Sequence, residues 1–278
     1  MNGFEKFLVL LDSSMTTPNS FGWFHLMFVL IVIGVTFLLC HYFKDCNEKI
    51  FKRIIFITWI IIFILEVYKQ INFSFNYDNG IVSWDYQWYA FPFQLCSTPL
   101  YILPLIVLFK DGKIYQSAIA YTATFAFFGG LAVMIYPGNV FIETIGINIQ
   151  TMVHHGSQVV MGIFCLVHER KRFDFKYYLK GLPVFGILLS IAVILNITVY
   201  HIFQNLNIDE SFNMFYVGPY FECSLPLLNI IYPLVPFVVF LLIYLIGFVL
   251  ISYIIYFVFT KINNAVGKKR VYTKIQED

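Results

Sequence analysis

Charge is scarce in this chain. Of its 278 residues 12% are Asp, Glu, Lys or Arg, while 59% are hydrophobic. A soluble domain carries about 25% charged residues, so this chain cannot coat a water-facing surface. Its mean hydropathy of +0.76 agrees. A separate soluble domain is also excluded, because seven spans of about 20 residues with short connections use the whole length. The five cysteines (Cys40, Cys46, Cys96, Cys165, Cys223) form no CxxC pair and no metal-ligand spacing, and an odd count does not make a disulfide framework. No cleavable signal is expected, since the apolar run after Glu5 is short and no small-residue cleavage site precedes the first long span. Internal repeats and low-complexity tracts are missing as well. No cofactor or metal is expected, and nothing implies nucleic acid.

Apolar runs are present at about 23–42, 54–72, 91–109, 115–136, 147–167, 179–203 and 226–260. They predict an all-α, polytopic membrane helical bundle with seven transmembrane helices, forming a single integral membrane domain over 1–278. The last run is too long for one straight span: Pro226 suits its first turn, and Pro233 and Pro236 kink it. Lys and Arg gather in connection one (Lys44, Lys49, Lys52, Arg53), three (Lys110, Lys113), five (Arg170, Lys171, Arg172, Lys176) and the tail (Lys261, Lys268, Lys269, Arg270, Lys274). Connections two (73–90), four (137–146) and six (204–225) hold none. By the positive-inside rule the N-terminus is outside and the C-terminus cytoplasmic. Trp84, Tyr86, Trp88 and Tyr89 look like an interfacial belt. Asp78-Asn79-Gly80 between alternating apolar residues is a hairpin signal, weighed against a plain loop, which is the favoured reading. The basic Lys268-Lys269-Arg270 reads as cytoplasmic retention and anionic-lipid contact.

Polar groups inside spans are costly and default to functional hypotheses. Here they fall in one layer roughly 6–18 Å below the outer boundary at about 1.5 Å per residue. Glu66 and Lys69 belong to span 2, and Gln94, Cys96 and Ser97 to span 3. Span 5 holds Gln150, His154, His155 and Gln158, span 6 Asn196, and span 7 Asn229. Within the layer, Cys96 with a histidine of span 5 is a pair able to do covalent chemistry, since a thiol needs a base or a positive field to become a nucleophile. Pro92 suits a first helical position, which sets Cys96 just past the positive end of span 3, and Pro99 distorts the helix beside it. His154 shares a face with Gln150 and Gln158; His155 precedes Gly156, which permits close helix approach; periodicity does not separate the two. The bland reading is that Cys96 packs, the histidines bond to amides across helices, and Glu66–Lys69 is an ordinary i,i+3 pair. A Cys96–Cys223 disulfide would remove the nucleophile.

Phe91-Pro-Phe-Gln-Leu-Cys96 before a Leu- and Pro-rich span, His155-Gly156, Asn196, Asn213-Met-Phe215 and Gly218-Pro219 resemble the signature of the YwaF-like bacterial integral membrane family. The resemblance runs from about span 2 to the end. That family is in turn similar to eukaryotic transmembrane proteins that transfer fatty acyl chains between glycerolipids with a Cys and a His. Those resemble the androgen-induced lipid hydrolases, where Thr replaces Cys. The resemblance implies Cys96 as nucleophile, His155 or His154 as base, membrane lipids as partners and a bacterial plasma membrane as location. One departure is Gln94, where many relatives carry His.

Three functions follow as expectations. The first is a membrane-embedded lipid acyltransferase or hydrolase, with Gln94, Gln158 or Asn196 donating to the oxyanion and Glu66 orienting the histidine. The second is a transporter or small-solute binding protein using the same layer through Pro-broken helices, against which the odd span count and missing repeat speak. The third is a non-catalytic membrane scaffold. The lipid, the acyl acceptor and the oligomeric state are not readable.

Overall fold

The structure is a computed structural model that describes residues 1–78, 81–138 and 140–277, with side chains described to Ala265. It is mostly helical. In chain order the helices are α1 (Gly3–Leu11), α2 (Trp23–Tyr42), α3 (Glu48–Asn72), α4 (Pro99–Leu108), α5 (Lys113–Tyr121), α6 (Phe127–Ile135), α7 (Ile145–His168), α8 (Phe175–Leu179), α9 (Gly181–Leu206), α10 (Leu228–Ile231) and α11 (Phe237–Glu277). Strands β1 (Phe75–Asp78) and β2 (Ile81–Trp84) pair antiparallel. Among the described residues four stretches are long and apolar enough to cross a membrane: Trp23–Tyr42, Lys113–Ile135, Phe175–Leu206 and Phe237–Ala265. α3 and α7 have comparable length but carry the polar residues of the layer, and α4 is short.

Local chemistry explains most boundaries. Asn47 caps α3 by accepting from the Ile50 N–H at 3.0 Å, with Glu48 favourably placed in the first turn. Asp174 does the same for α8 through Tyr177 at 2.8 Å. α9 stops at Asn207, whose φ of 53° is left-handed, a conformation Asn tolerates better than most residues. α5 runs into α6 through a π-helical segment, Thr122–Ala126, where Thr124 Oγ1 donates to the Ala120 carbonyl at 2.6 Å.

Two expected spans are corrected. The 91–109 run is helical only from Pro99. Proline at the first helical position needs no N–H there, so Pro99 starts the helix instead of distorting one. The carbonyl of Leu95, which a helix through Pro99 would leave without a donor, accepts from Thr98 Oγ1 at 2.6 Å. Pro104 inside α4 likewise deprives the Leu100 carbonyl, and the Trp59 indole N–H of α3 supplies the bond at 2.9 Å. The 226–260 run is not one kinked helix. It breaks into α10, a 3₁₀ turn at Tyr232–Leu234 containing Pro233, and α11, which begins just after Pro236. Pro226 lies before α10 and in no helix. The plain-loop reading of the second connection also falls: β1 and β2 form a hairpin, although Asn79 and Gly80 themselves lie outside the described residues. The side chains of Lys268, Lys269 and Arg270 lie outside them too.

α7 is the centre of the bundle, packed by α2, α3, α6 and the π-helical segment. Close approach depends on glycine, as at Gly130 and Gly156. A Cβ at Gly130 of α6 would sit 2.5 Å from the His155 carbonyl oxygen, and one at Gly156 of α7 would meet Val32 of α2 at 2.5 Å. Large apolar side chains of α2, α9 and α11 face outward, as on a lipid-exposed surface.

The connections sort to two ends. At one end Arg170 donates to Asp45 and, at 2.9 Å, to the Lys44 carbonyl, joining the fifth connection to the first. Arg172 pairs with Glu169 and with Asp111 of the third, and Asn263 of α11 donates to the Arg170 carbonyl at 3.0 Å. At the other end the N-terminal segment pairs with the fourth connection (Met15 N–H to Glu143 O, 2.6 Å; Ile145 N–H to Ser13 O, 3.0 Å). There the second connection meets the end of α9 through Trp88 and Phe203, ring centroids 5.1 Å apart.

Candidate functional site

The 91–98 stretch enters the bundle as irregular backbone with a single 3₁₀ turn and no α-helix. Such backbone at membrane depth must find partners in neighbouring side chains. α7 provides them. His154 and Gln158 lie one turn apart on one face, and both reach the same atom: the Cys96 carbonyl oxygen accepts from His154 Nε2 at 2.7 Å and from Gln158 Nε2 at 2.9 Å. Cys96 itself occupies a 3₁₀ turn, Leu95–Ser97, that leads through Thr98 into α4. Cys96 is half-buried and, like the other four cysteines, free, so the Cys96–Cys223 disulfide is absent.

The hydrogen bonds define the histidine tautomers. A carbonyl oxygen only accepts, so His154 carries its proton on Nε2, and its buried Nδ1 has no partner. His155 donates through Nδ1 to the Thr151 carbonyl at 2.7 Å, leaving Nε2 as its basic nitrogen. The two rings stand 5.8 Å apart, edge to face. Gln158 Oε1 is also buried and unpartnered. A cavity of about 10 Å³ touches Gln158, Pro99 and Thr122, whose hydroxyl is unpartnered too. A larger pocket of about 350 Å³ lies elsewhere, between Met15 and Phe24, and includes no member of the polar layer.

The other expected residues divide. Glu66 is buried in α3 and accepts from Lys69 at 2.8 Å, Gln70 at 2.7 Å and Gln150 of α7 at 3.4 Å. Its partners are therefore a cation and two amides, not a histidine; it is tied to α7 one turn before His154. Gln94 and Asn196 serve a different element, the loop at Asn213–Tyr216. Gln94 donates to the Asn213 carbonyl at 3.0 Å and accepts from the Phe215 N–H at 2.8 Å. Asn196 donates to the Met214 carbonyl at 2.9 Å and accepts from the Met214 N–H at 2.7 Å. This loop is under strain, because Phe215 and Tyr216 both have positive φ (57° and 55°), which costs a non-glycine residue about 1–2 kcal/mol. The three amides expected to donate to an oxyanion are thus engaged with backbone. Asn229 is not in the layer: it is exposed on α10, because the chain breaks before α11 instead of running through as one helix.

Several participants escaped the sequence reading. Thr98, fully buried, shares a 2.8 Å hydrogen bond with the Tyr121 hydroxyl just before the π-helical segment. Gln70 joins Glu66, the Ala90 carbonyl (2.9 Å) and the Tyr86 hydroxyl (2.7 Å). The signals existed: Thr98 sits between Cys96 and Pro99, Gln70 is four residues after Glu66, and Tyr121-Thr-Ala-Thr interrupts an apolar run. Among the described residues no three His, Cys, Asp or Glu gather closely enough to hold a metal.

A lipid-exposed helical exterior around a buried polar layer defines a membrane protein of the helical-bundle class. The chain belongs to the TMEM164 family, whose model matches residues 18–256. No curated protein and no solved structure matches it.

Proposed function

We propose that the protein is a membrane-embedded lipid acyltransferase or hydrolase that works through Cys96 and the histidines of α7. One observation carries the reading: His154 and Gln158 both fasten on the Cys96 carbonyl, tying the residue that bears a free thiol to a histidine whose second nitrogen is buried and unpaired. The reaction class comes from the resemblance to YwaF-like proteins and, through them, to Cys/His acyl-transferring proteins; membership of the TMEM164 family does not itself name a reaction. In the proposed step a histidine takes the thiol proton and the thiolate attacks an acyl ester carbonyl. The tetrahedral oxyanion then collapses to a thioester, and the departing alkoxide receives the proton from the imidazolium. A hydroxyl acceptor, or water, then releases the acyl group. His154 is the favoured base, its unprotonated and unpartnered Nδ1 taking the thiol proton. His155 is the alternative.

The proposed topology has seven crossings: α2, α3, the 91–98 stretch with α4, α5–α6, α7, α8–α9 and α11. α4 has 10 residues, about 15 Å of helix, and the half-buried 91–98 stretch completes its crossing. The end bearing Arg170 and Arg172 faces the cytoplasm and the hairpin end faces outward, in one membrane domain of a bacterial plasma membrane.

The test is to trap the thioester. Purified protein in nanodiscs is incubated with a glycerophospholipid bearing a mass-labelled acyl chain and read by intact mass. An acyl adduct removed by neutral hydroxylamine, and missing in Cys96→Ala, is the expected result. A folded wild-type protein that forms no adduct, while a small solute raises its melting temperature, would move the reading to a solute-binding or transport protein. The buried unpaired atoms of His154 and Gln158 would serve that reading as well.

A further inference from the structure

α1 is not consumed by the bundle. At about 100° per residue, Leu10, Phe7, Leu11, Phe4 and Leu8 make a continuous apolar arc, with Asn2, Glu5 and Val9 on the far side. Only one edge of the arc is buried: Leu8 is 1% exposed, whereas Leu10 is 69% and Phe7 50% exposed. The helix is held firmly. Asn2 and Glu5 form a reciprocal capping box. The Tyr68 hydroxyl, in the last turns of α3, donates to the Leu11 carbonyl at 2.7 Å, and Asn72 donates to Asp12 at 3.2 Å. α1 therefore lies at the level where α3 ends.

The hairpin continues the same surface. Phe4 packs edge-on to Phe75 at 6.4 Å, and Phe75 to Trp84 at 5.6 Å. Ile81 and Trp84 are each 70% exposed. Phe21 and Trp23, where α2 begins, are also exposed. Ile64 and Val67 in the turns of α3 just before Tyr68, to which α1 is tied, are exposed too, 59% and 43%.

We infer that α1 and the β1–β2 hairpin form a shelf lying in the plane of the bilayer interface, with Phe7, Leu10 and Trp84 inserted among the lipid headgroups and upper acyl chains. The occupant of this face is lipid. The occupant is argued from the anchoring of the shelf at the end of α3, beside outward-facing Ile64 and Val67, and from an amphipathic helix whose polar side, at Glu5, can face water. A tethered helix that keeps an apolar edge uncovered matches an interface where one side is wet and the other apolar. The inference does not depend on the acyl-transfer reading.

The experiment places the photoreactive residue benzoylphenylalanine at position 7, 10 or 9, one at a time, in the full chain. The proteins are reconstituted in phosphatidylcholine nanodiscs, irradiated and read by intact mass and by gel. Several-fold more lipid adduct at positions 7 and 10 than at 9 is expected. Protein–protein crosslinks at 7 and 10 in place of lipid adducts would overturn the inference in favour of a second copy. Equal lipid labelling at all three, or none at any, would overturn it outright. Size-exclusion profiles matching wild type establish that each variant is folded, and the exposure of these side chains favours that.

Discussion

The two ends of the bundle are closed by different chemistry. At the Lys/Arg-rich end the links join long charged side chains from separate connections: Arg170 to Asp45, Arg172 to Asp111 and Glu169. Several of these groups are half-exposed, where water and salt weaken them. At the hairpin end the links run from short buried amides to backbone: Gln94 and Asn196 to the 213–215 loop, His154 and Gln158 to Cys96. Charge at the first end marks which connections belong together, and is cheap to alter. Amide-to-backbone bonds at the second hold irregular chain in a place where water cannot substitute. They are costly to alter, and they surround the candidate site.

That contrast can be broken most sharply at Cys96. Cys96→Ala is expected to abolish the acyl adduct completely while leaving the melting temperature near wild type, because the bonds from His154 and Gln158 that hold the turn go to the Cys96 carbonyl. Mass spectrometry and a thermal melt on the same sample check it; retained turnover would sink the enzyme reading. His154→Ala should lose activity and also stability, since it leaves the carbonyl with Gln158 alone. His155→Ala removes a bond within its own helix, to Thr151, and is expected to be milder in the melt.

Asn196→Ala comes next. It removes both bonds to Met214 and strands a buried N–H and C=O, a loss of about 2–6 kcal/mol at roughly 1–3 kcal/mol per unsatisfied group. A clear fall in melting temperature is expected; a change no larger than that of Arg170→Ala would contradict the comparison. Gly130→Ala is smaller, about 1–3 kcal/mol from overpacking against α7. Arg170→Ala should have the least effect on the melt, and added salt should shrink it further. Arg170 donates to Asp45 and holds its carboxyl below the ordinary carboxylate value. That link is therefore present at neutral pH and lost only as the pH falls through this lowered range; a melt across acid pH, wild type against Arg170→Ala, reads the difference.

Much of the bundle was legible in the sequence. α2 occupies the expected 23–42, and α7 extends the expected 147–167 by one or two residues at each end, because long apolar or polar-seamed runs have little choice but helix. The gathering of connections one, three and five at one end follows the Lys/Arg pattern. The corrections cluster at prolines: Pro99 starts a helix where Pro92 seemed to, and the Pro226 to Pro236 stretch separates α10 from α11. A proline announces a break, but whether the chain resumes before or after it depends on which neighbour can take the freed carbonyl, as Trp59 and Thr98 do. The polar layer was legible as a list of residues and illegible as a set of partners. Cys96, His154 and Gln158 meet, Glu66 is tied to their helix, and Asn229 stands apart.

The sequence by itself determined that the chain is a membrane helical protein, which connections share an end, and which buried polar residues need an explanation. These depend on hydropathy and charge, properties each segment carries alone. Only the tertiary structure decided that two side chains of α7 converge on one carbonyl, that Gln94 and Asn196 clamp a strained loop, and that α1 keeps an apolar edge uncovered. Those facts depend on which polar group of one helix lies within about 3 Å of another. Such distances arise from the packing of all the helices together, and no single segment encodes them.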